Sequence, residues 1–259
     1  MPEHAPLYLH RLALDQVRLL ELGRRRHLPS HAPDLGYLVH CQLGEMFGEL
    51  APSPFQIQGT PGRNLIVLGY GPSSMDVMLD HADAFADPGV YSALDRPKAA
   101  SKQMPVAWEP GRRLGFQVRV CPVVRVSGKV ASFPGAPADA KSGVETDAFI
   151  THCWWAGKDV SVDRETVYRR WLEERLVGSK AVKLLHAEMT SFQLEKVVRR
   201  DHAPMRNSGV LKRPVAEFTG EFEVQDAAAF QRLLVNGIGR HKAFGFGMVL
   251  LRSVGRAQC

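Results

Sequence analysis

The stretch FTGEFEVQDAAAFQRLLVNGIGRHKAFGFGMVLL, residues 218–251, decides how this chain folds. It reads as a strand, a helix over DAAAFQRLLVNG capped by Asp226, a glycine-dense crossing, and a closing strand FGMVLLRSV. Gly237, Gly239, Gly245 and Gly247 surround Arg240, His241 and Lys242. A Walker loop needs lysine and then serine or threonine after its last glycine, whereas Gly247 is followed by Met248. A dinucleotide fingerprint sits between a strand and a helix, and this segment runs from a helix to a strand. Two uses remain. The glycines either cap a helix and lead tightly into a strand, or they let backbone amides and neighbouring cations hold a phosphodiester chain.

Working outward, the rest of the chain repeats the same grammar. LYLHRLAL, residues 7–14, alternates as a first strand, and LGRRRHLPSHAP reads as a basic, proline-broken connector. Asp34 is the N-cap expected for a helix whose Leu35, Val39, Leu43, Met46 and Leu50 form one apolar face. NLIVLGY, residues 64–70, reads as a buried strand and SSMDVMLDHADAF as a serine-opened helix, while RPKAASKQMP reads as a linker. In GRRLGFQVRVCPVVRV, residues 111–126, Leu114, Phe116, Val118 and Val120 alternate with Gly115, Gln117, Arg119 and Cys121, a strand with one basic face. Ser127–Gly143 is rich in Gly, Pro and Ala and is expected to be a loop; VETDAFITHCWW is expected to add a strand. RETVYRRWLEERLVG, residues 164–178, is the clearest helix, and KLLHAEMTSFQLEKVVRR and VAEFTGEFEVQ follow as strands. Strands interleaved with two helices, twice over, predict an α+β fold of tandem ferredoxin-like (RRM-like) modules. The expected division is 1–95, a linker at 96–110, and 111–259 ending in the glycine-rich loop.

Bulk properties bound the rest. A chain of 259 residues with 45% apolar content can bury a core, and a net charge of +6 favours a polyanionic partner, nucleic acid ahead of membrane. Cys41, Cys121, Cys153 and Cys259 form no zinc-like spacing, so no metal site and no cofactor is expected. No apolar run reaches the roughly 18 residues that span a bilayer, and the N-terminus lacks a signal pattern; a cytoplasmic protein is expected.

The ending FTGEFEVQDAAAFQRLLVN plus GIGRHKAFGFGMVLL resembles the C-terminal signature of the CasE family of CRISPR-associated, RAMP-type endoribonucleases, or the closely similar type IV CRISPR processing enzyme. LYLHRLAL is similar to that family's first strand, and GRRLGFQVRVCP to its central strand, with Gln117 in place of an arginine and Cys121 in place of an asparagine. The resemblance implies a metal-independent nuclease that cuts the CRISPR repeat hairpin by 2′-hydroxyl attack, leaving 2′,3′-cyclic phosphate and 5′-hydroxyl ends. It also implies that the enzyme stays bound to its guide RNA within a larger ribonucleoprotein. A non-catalytic RNA-binding subunit of the same fold is the alternative.

The family carries its catalytic histidine on the first helix with a tyrosine three residues earlier, which implies His40 and Tyr37 here. At about 100° per residue these share a helix side with Cys41, Gly44 and Gly48, opposite the apolar face. Two glycines inside a helix cost roughly 1 kcal/mol each relative to alanine, so that side is cleared either for a ligand or for another chain segment. Histidine, with an ordinary pKa near 6.5, can serve as base or acid at neutral pH. Arg24, Arg25 and Arg26, next to His27, are either a solvated charge run or a phosphate grip that could replace histidine as electrostatic catalyst. His10 and His27 are fallback bases. Arg119, Arg240, His241 and Lys242 are the other expected RNA contacts, with Gly237, Gly239, Gly245 and Gly247 among them. Arg199, Arg200, Arg206, Lys212 and Arg213 form a candidate RNA-binding loop by composition.

Overall fold

The computed structural model describes residues 6–25, 34–59, 64–126, 128, 130–157, 159–199 and 209–254. Its first module runs β1 (Tyr8–Asp15), α1 (Gln16–Arg25), α2 (Leu35–Phe47), β2 (Phe55–Gln58), β3 (Asn64–Gly71), α3 (Met75–Phe85), the short α4 (Pro88–Tyr91) and β4 (Ala100–Gln103). The strands pair antiparallel in the order β2-β3-β1-β4. The second module runs β5 (Arg113–Val120), β6 (Val123–Arg125), β7 (Glu145–Asp147), α5 (Ala148–Ala156), α6 (Arg164–Gly178), β8 (Val182–Arg199), β9 (Gly209–Val224), α7 (Ala227–Asn236) and β10 (Val249–Arg252). Its main sheet, β10-β5-β9-β8, has the same spatial plan, and β6-β7 is a separate two-stranded insertion. In both sheets the first strand lies between the last and the third, the order of the split β-α-β ferredoxin-like unit. The tandem arrangement expected from the sequence is therefore the observed fold.

Local chemistry accounts for the helices. The carboxylates of Asp34, Asp147, Asp163 and Asp226 each accept a backbone N–H in the first turn of α2, α5, α6 and α7, satisfying donors that the helix itself leaves open. Asp15 does the same for Val17 and Arg18 at the start of α1. That cap, with Leu19 and Leu22 buried, makes a helix of residues 16–25, so Leu22–Arg25 belong to a helix end and not to the connector expected there. Three further expectations change. Residues 100–103, expected within a linker, pair with β1 as the edge strand of the first sheet, because the extended ASKQ segment finds the open edge of Tyr8–Arg11. Of the VETDAFITHCWW stretch expected to add a strand, Glu145–Asp147 form β7, but Ala148 onward is helical because the Asp147 carboxylate accepts from Phe149 N at 2.7 Å and starts a turn. Gly48 is not inside α2 but caps its end at φ +54°.

One face of β1 and β3, with Leu12, Leu14, Leu65 and Val67, packs under α1, α2 and α3. The opposite face, Leu9, Leu68 and Tyr70, joins the core of the second module, and the Tyr70 hydroxyl donates to Val249 O at 3.0 Å. That second core gathers the alternate residues of β5 and β9 with Tyr168, Trp171, Leu172 and Leu176 of α6 and Phe230, Leu233 and Leu234 of α7. Among the described residues no helix is long and apolar enough to cross a membrane.

His10 sits on the helix-side face of β1, fully buried, and neither ring nitrogen has a hydrogen-bond partner among the described residues. It is enclosed and is not available as a base to a ligand at the surface. Burial lowers its pKa from 6.5 to about 4. The unfolded chain takes up this proton near pH 6.5 while the native state resists it until about pH 4. Stability is thus intact above pH 6.5 and falls as the pH drops toward 4. Between pH 7 and pH 5, wild-type protein should lose about 2 kcal/mol more than His10→Leu, read by chemical denaturation at both pH values. Parallel curves for the two proteins would contradict this.

Candidate active site and its seating

The glycine-rich crossing is a seam between the modules. At Gly237 an added Cβ would meet Gly247 O and Pro54, at Gly239 the ring of Trp171, at Gly245 the ring of Phe55, and at Gly247 the carbonyl of Ile238. All four glycines hold positive φ. Ile238 N donates to Gly247 O at 2.8 Å and Gly247 N to Arg119 O at 2.7 Å, so the crossing is closed on itself and stitched to β5. A 3₁₀ turn at Lys242–Phe244 projects from it toward α2. There the first turn of α2 presents Gly36, whose Cβ, were there one, would overlap Phe244 O and crowd its Cα. Helix and turn touch backbone to backbone.

This contact aims the open side of α2. Tyr37 stacks on Phe244, ring centroids 5.9 Å apart and planes 26° apart. His40, one turn beyond Gly36, is exposed, and Gly44, another turn on, has none of the described residues within 4 Å of a Cβ built there. Val39, Leu43 and Met46 are buried on the other side, as their spacing predicts. The structure therefore brings Tyr37 onto the crossing, two hundred residues away in the chain, and leaves His40 exposed three residues further along α2.

The expected cations divide into three groups. Arg119 is 16% exposed and forms ion pairs with Glu195 and Glu217 while its guanidinium lies 4.4 Å from the Phe246 ring centroid. The basic face expected of β5 is thus neutralised locally, and Cys121 is buried. Arg213, Arg240 and His241 converge on Glu145: Arg213 Nη2 at 3.3 Å, Arg240 Nη1 at 2.9 Å and His241 Nε2 at 2.9 Å from its carboxylate oxygens. Lys242 donates to Asn236 O at 2.7 Å. Burial pushes the Glu145 carboxyl up, but the charges of His241 and Arg213 and hydrogen bonds from His241 and Arg240 outweigh it and hold the group below the usual carboxylate range. Burial lowers the His241 imidazole below its ordinary value, with Glu145 offsetting part of that and Arg213 adding to it.

Arg24 and Arg25 are exposed at the end of α1. Arg25 lines a groove of about 410 Å³ with Arg18, Glu21 and Gln42. Gln42 is two residues, about 200°, from His40 around α2, so this groove opens on the far side of the helix. Lys212 is exposed on β9, and Arg199 ends β8. Arg26, His27, Arg200 and Arg206 lie outside the described residues.

Sequence reading missed Gly36, Phe244 and Glu145. A glycine in the first turn of a helix was a signal for Gly36, since it weakens the helix unless a close approach requires it. Glu145 had none: it is one acid among several near a loop.

The family described as CRISPR associated protein matches residues 7–253. The fold is similar to that of CRISPR endoribonuclease Cse3 bound to 19 nt RNA, at 19% identity and a TM-score of 0.61, covering 95% of this chain and 99% of that one. It is also similar to the CRISPR-associated protein Cas6e from Escherichia coli K-12, at 16% identity and a TM-score of 0.56, covering 95% and 100%. A chain of a CRISPR RNA-guided surveillance complex aligns at 16% identity and a TM-score of 0.54, with the same coverage. No curated protein matches.

Two glycine substitutions separate the two uses of small residues on α2. Gly44→Ala should stabilise the protein by about 1 kcal/mol, because it gains helix propensity without a clash. Gly36→Ala should destabilise it by about 1–3 kcal/mol through overpacking against Phe244. Urea unfolding of both variants checks the pair, and equal effects would contradict the seating described.

Proposed function

This chain belongs to the CRISPR associated protein family, and we propose that it is a metal-independent endoribonuclease that cleaves CRISPR precursor RNA at the repeat hairpin. The observation that carries this reading is the exposed His40 beside Gly44, which no described residue crowds, on a helix whose angle is held by the turn at Phe244. The fold supports it, since it is shared with Cse3 and Cas6e.

RNA supplies its own nucleophile. The 2′-oxygen attacks the adjacent phosphorus and loses its proton to a base, while the bond to the 5′-oxygen breaks and that oxygen receives a proton. The products are a 2′,3′-cyclic phosphate and a 5′-hydroxyl. His40 takes or supplies one of these protons, since an imidazole can act as base or as acid. Tyr37, stacked on Phe244, orients the phosphate from the same side of the helix. The half-exposed Arg240 and the exposed Lys212, Arg24 and Arg25 grip the hairpin backbone through charge. A shape-reading surface of this kind fits an enzyme that stays on its product within a guide-RNA complex.

His40→Ala should lower single-turnover cleavage of a repeat hairpin by about 10²- to 10⁴-fold while leaving affinity for the hairpin unchanged. Wild-type cleavage should persist in EDTA and vanish when the nucleotide before the cut is 2′-deoxy. Binding without cutting would support a non-catalytic subunit instead, and cleavage of the deoxy substrate would remove the proposed chemistry.

A further inference from the structure

We infer that Glu145, on the insertion strand β7, is a positioning residue for the cleavage site: it anchors the turn on which the His40 helix is seated. The inference rests on the reading of α2 as the cleaving helix.

Glu145 is held from below. Its strand pairs with β6, Arg125 opposite Glu145, and β6 is tied to α6 by Trp171 Nε1 donating to Val123 O at 3.1 Å. Two residues on, the buried Asp147 accepts from Tyr168 Oη at 2.9 Å and from Arg164 Nη1 at 3.1 Å, both on α6. Arg213 on β9 adds a bond to the Glu145 carbonyl at 3.4 Å besides its ion pair. The carboxylate is therefore a fixed point on the second module.

From that point a short chain of contacts reaches α2. His241, the residue that starts the 3₁₀ turn, adopts the left-handed conformation at φ 62°, ψ 31°, which is unfavourable for a residue with a Cβ and persists only where its surroundings impose it. Its ring is held by Glu145 Oε2 at 2.9 Å. His241 O accepts from Phe244 N at 2.9 Å, and the two rings meet edge to face at 6.0 Å. Phe244 then carries Tyr37 on its ring and Gly36 on its carbonyl. Loss of the carboxylate frees His241 to leave the left-handed region, and the support under α2 moves with it.

The same carboxylate neutralises Arg213 and the half-exposed Arg240. Its removal leaves a more basic surface, so positioning and binding respond in opposite directions. A group that merely stabilised the fold would not separate them.

The experiment measures single-turnover cleavage of a repeat hairpin and the Kd for its uncleavable 2′-deoxy form, using wild type, Glu145→Ala, Phe244→Ala and the double variant. Glu145→Ala should cleave about 10- to 100-fold more slowly, the scale of a misplaced catalytic group, while binding the deoxy hairpin at least as tightly as wild type. The double variant should be no slower than the slower single variant, because both act through one turn. Wild-type cleavage by Glu145→Ala, a Kd that weakens in step with the rate, or losses that multiply in the double variant would each overturn the inference. If thermal unfolding shows Glu145→Ala to be unfolded, the near-isosteric Glu145→Gln is carried through the same cycle and judged by the same outcomes. Failure of the wild type to cut overturns the nuclease reading itself, a result distinct from any of these.

Discussion

Where Gly36 rests on the carbonyl of Phe244, two backbones meet with no side chain between them. Much of the molecule depends on this approach. It sets how α2 lies on the C-terminal crossing, and so which side of α2 is left open. It also requires a crossing that can turn back on itself, which Gly237 and Gly247 permit because a Cβ at either would strike a carbonyl of the other strand of the loop. Helix and crossing belong to different ferredoxin-like units, so neither module alone presents His40 as the pair does. The shared core around Tyr70, whose hydroxyl bonds Val249 O, keeps the two units in register beneath this contact.

Charge tells a related story. A basic chain with arginines at suggestive places invites assignment of each arginine to RNA. Folding redistributes them: Arg119 is taken by Glu195, Glu217 and Phe246, and Arg213, Arg240 and His241 share one carboxylate. Buried or half-buried cations need such partners, because an unpaired charge out of water is costly. Of the group around Glu145, Arg240 keeps half of its side-chain surface exposed and Arg213 only 13%. Net charge thus says little about which individual cations are left free to meet a partner.

Most of the fold was legible before any coordinates. Asp34 and Asp226 marked helix starts because a carboxylate there satisfies backbone donors that the helix leaves open, and alternation in Leu114, Phe116, Val118 and Val120 marked a buried strand face. The errors have physical causes. Residues 16–25 lacked a recognised start because Asp15 was assigned no capping role, and ASKQ looked like a linker because an edge strand needs no apolar pattern when one edge of the sheet lies open to receive it. Residues 148–156 are β-branched and aromatic enough to read as a strand, yet the Asp147 cap turns them into a helix.

By itself, then, the sequence determined the tandem α+β plan, the side of α2 on which Tyr37 and His40 stand, and the presence of a glycine crossing before the last strand. All three follow from periodicity and caps, which act within a few residues. Tertiary structure alone decided what the glycines are for, which cations are already partnered, and that Glu145 lies behind the turn that seats the helix. Those contacts reach across loops and between segments as far apart as Gly36 and Phe244, and no local rule in a chain records which carbonyl a missing Cβ makes room for.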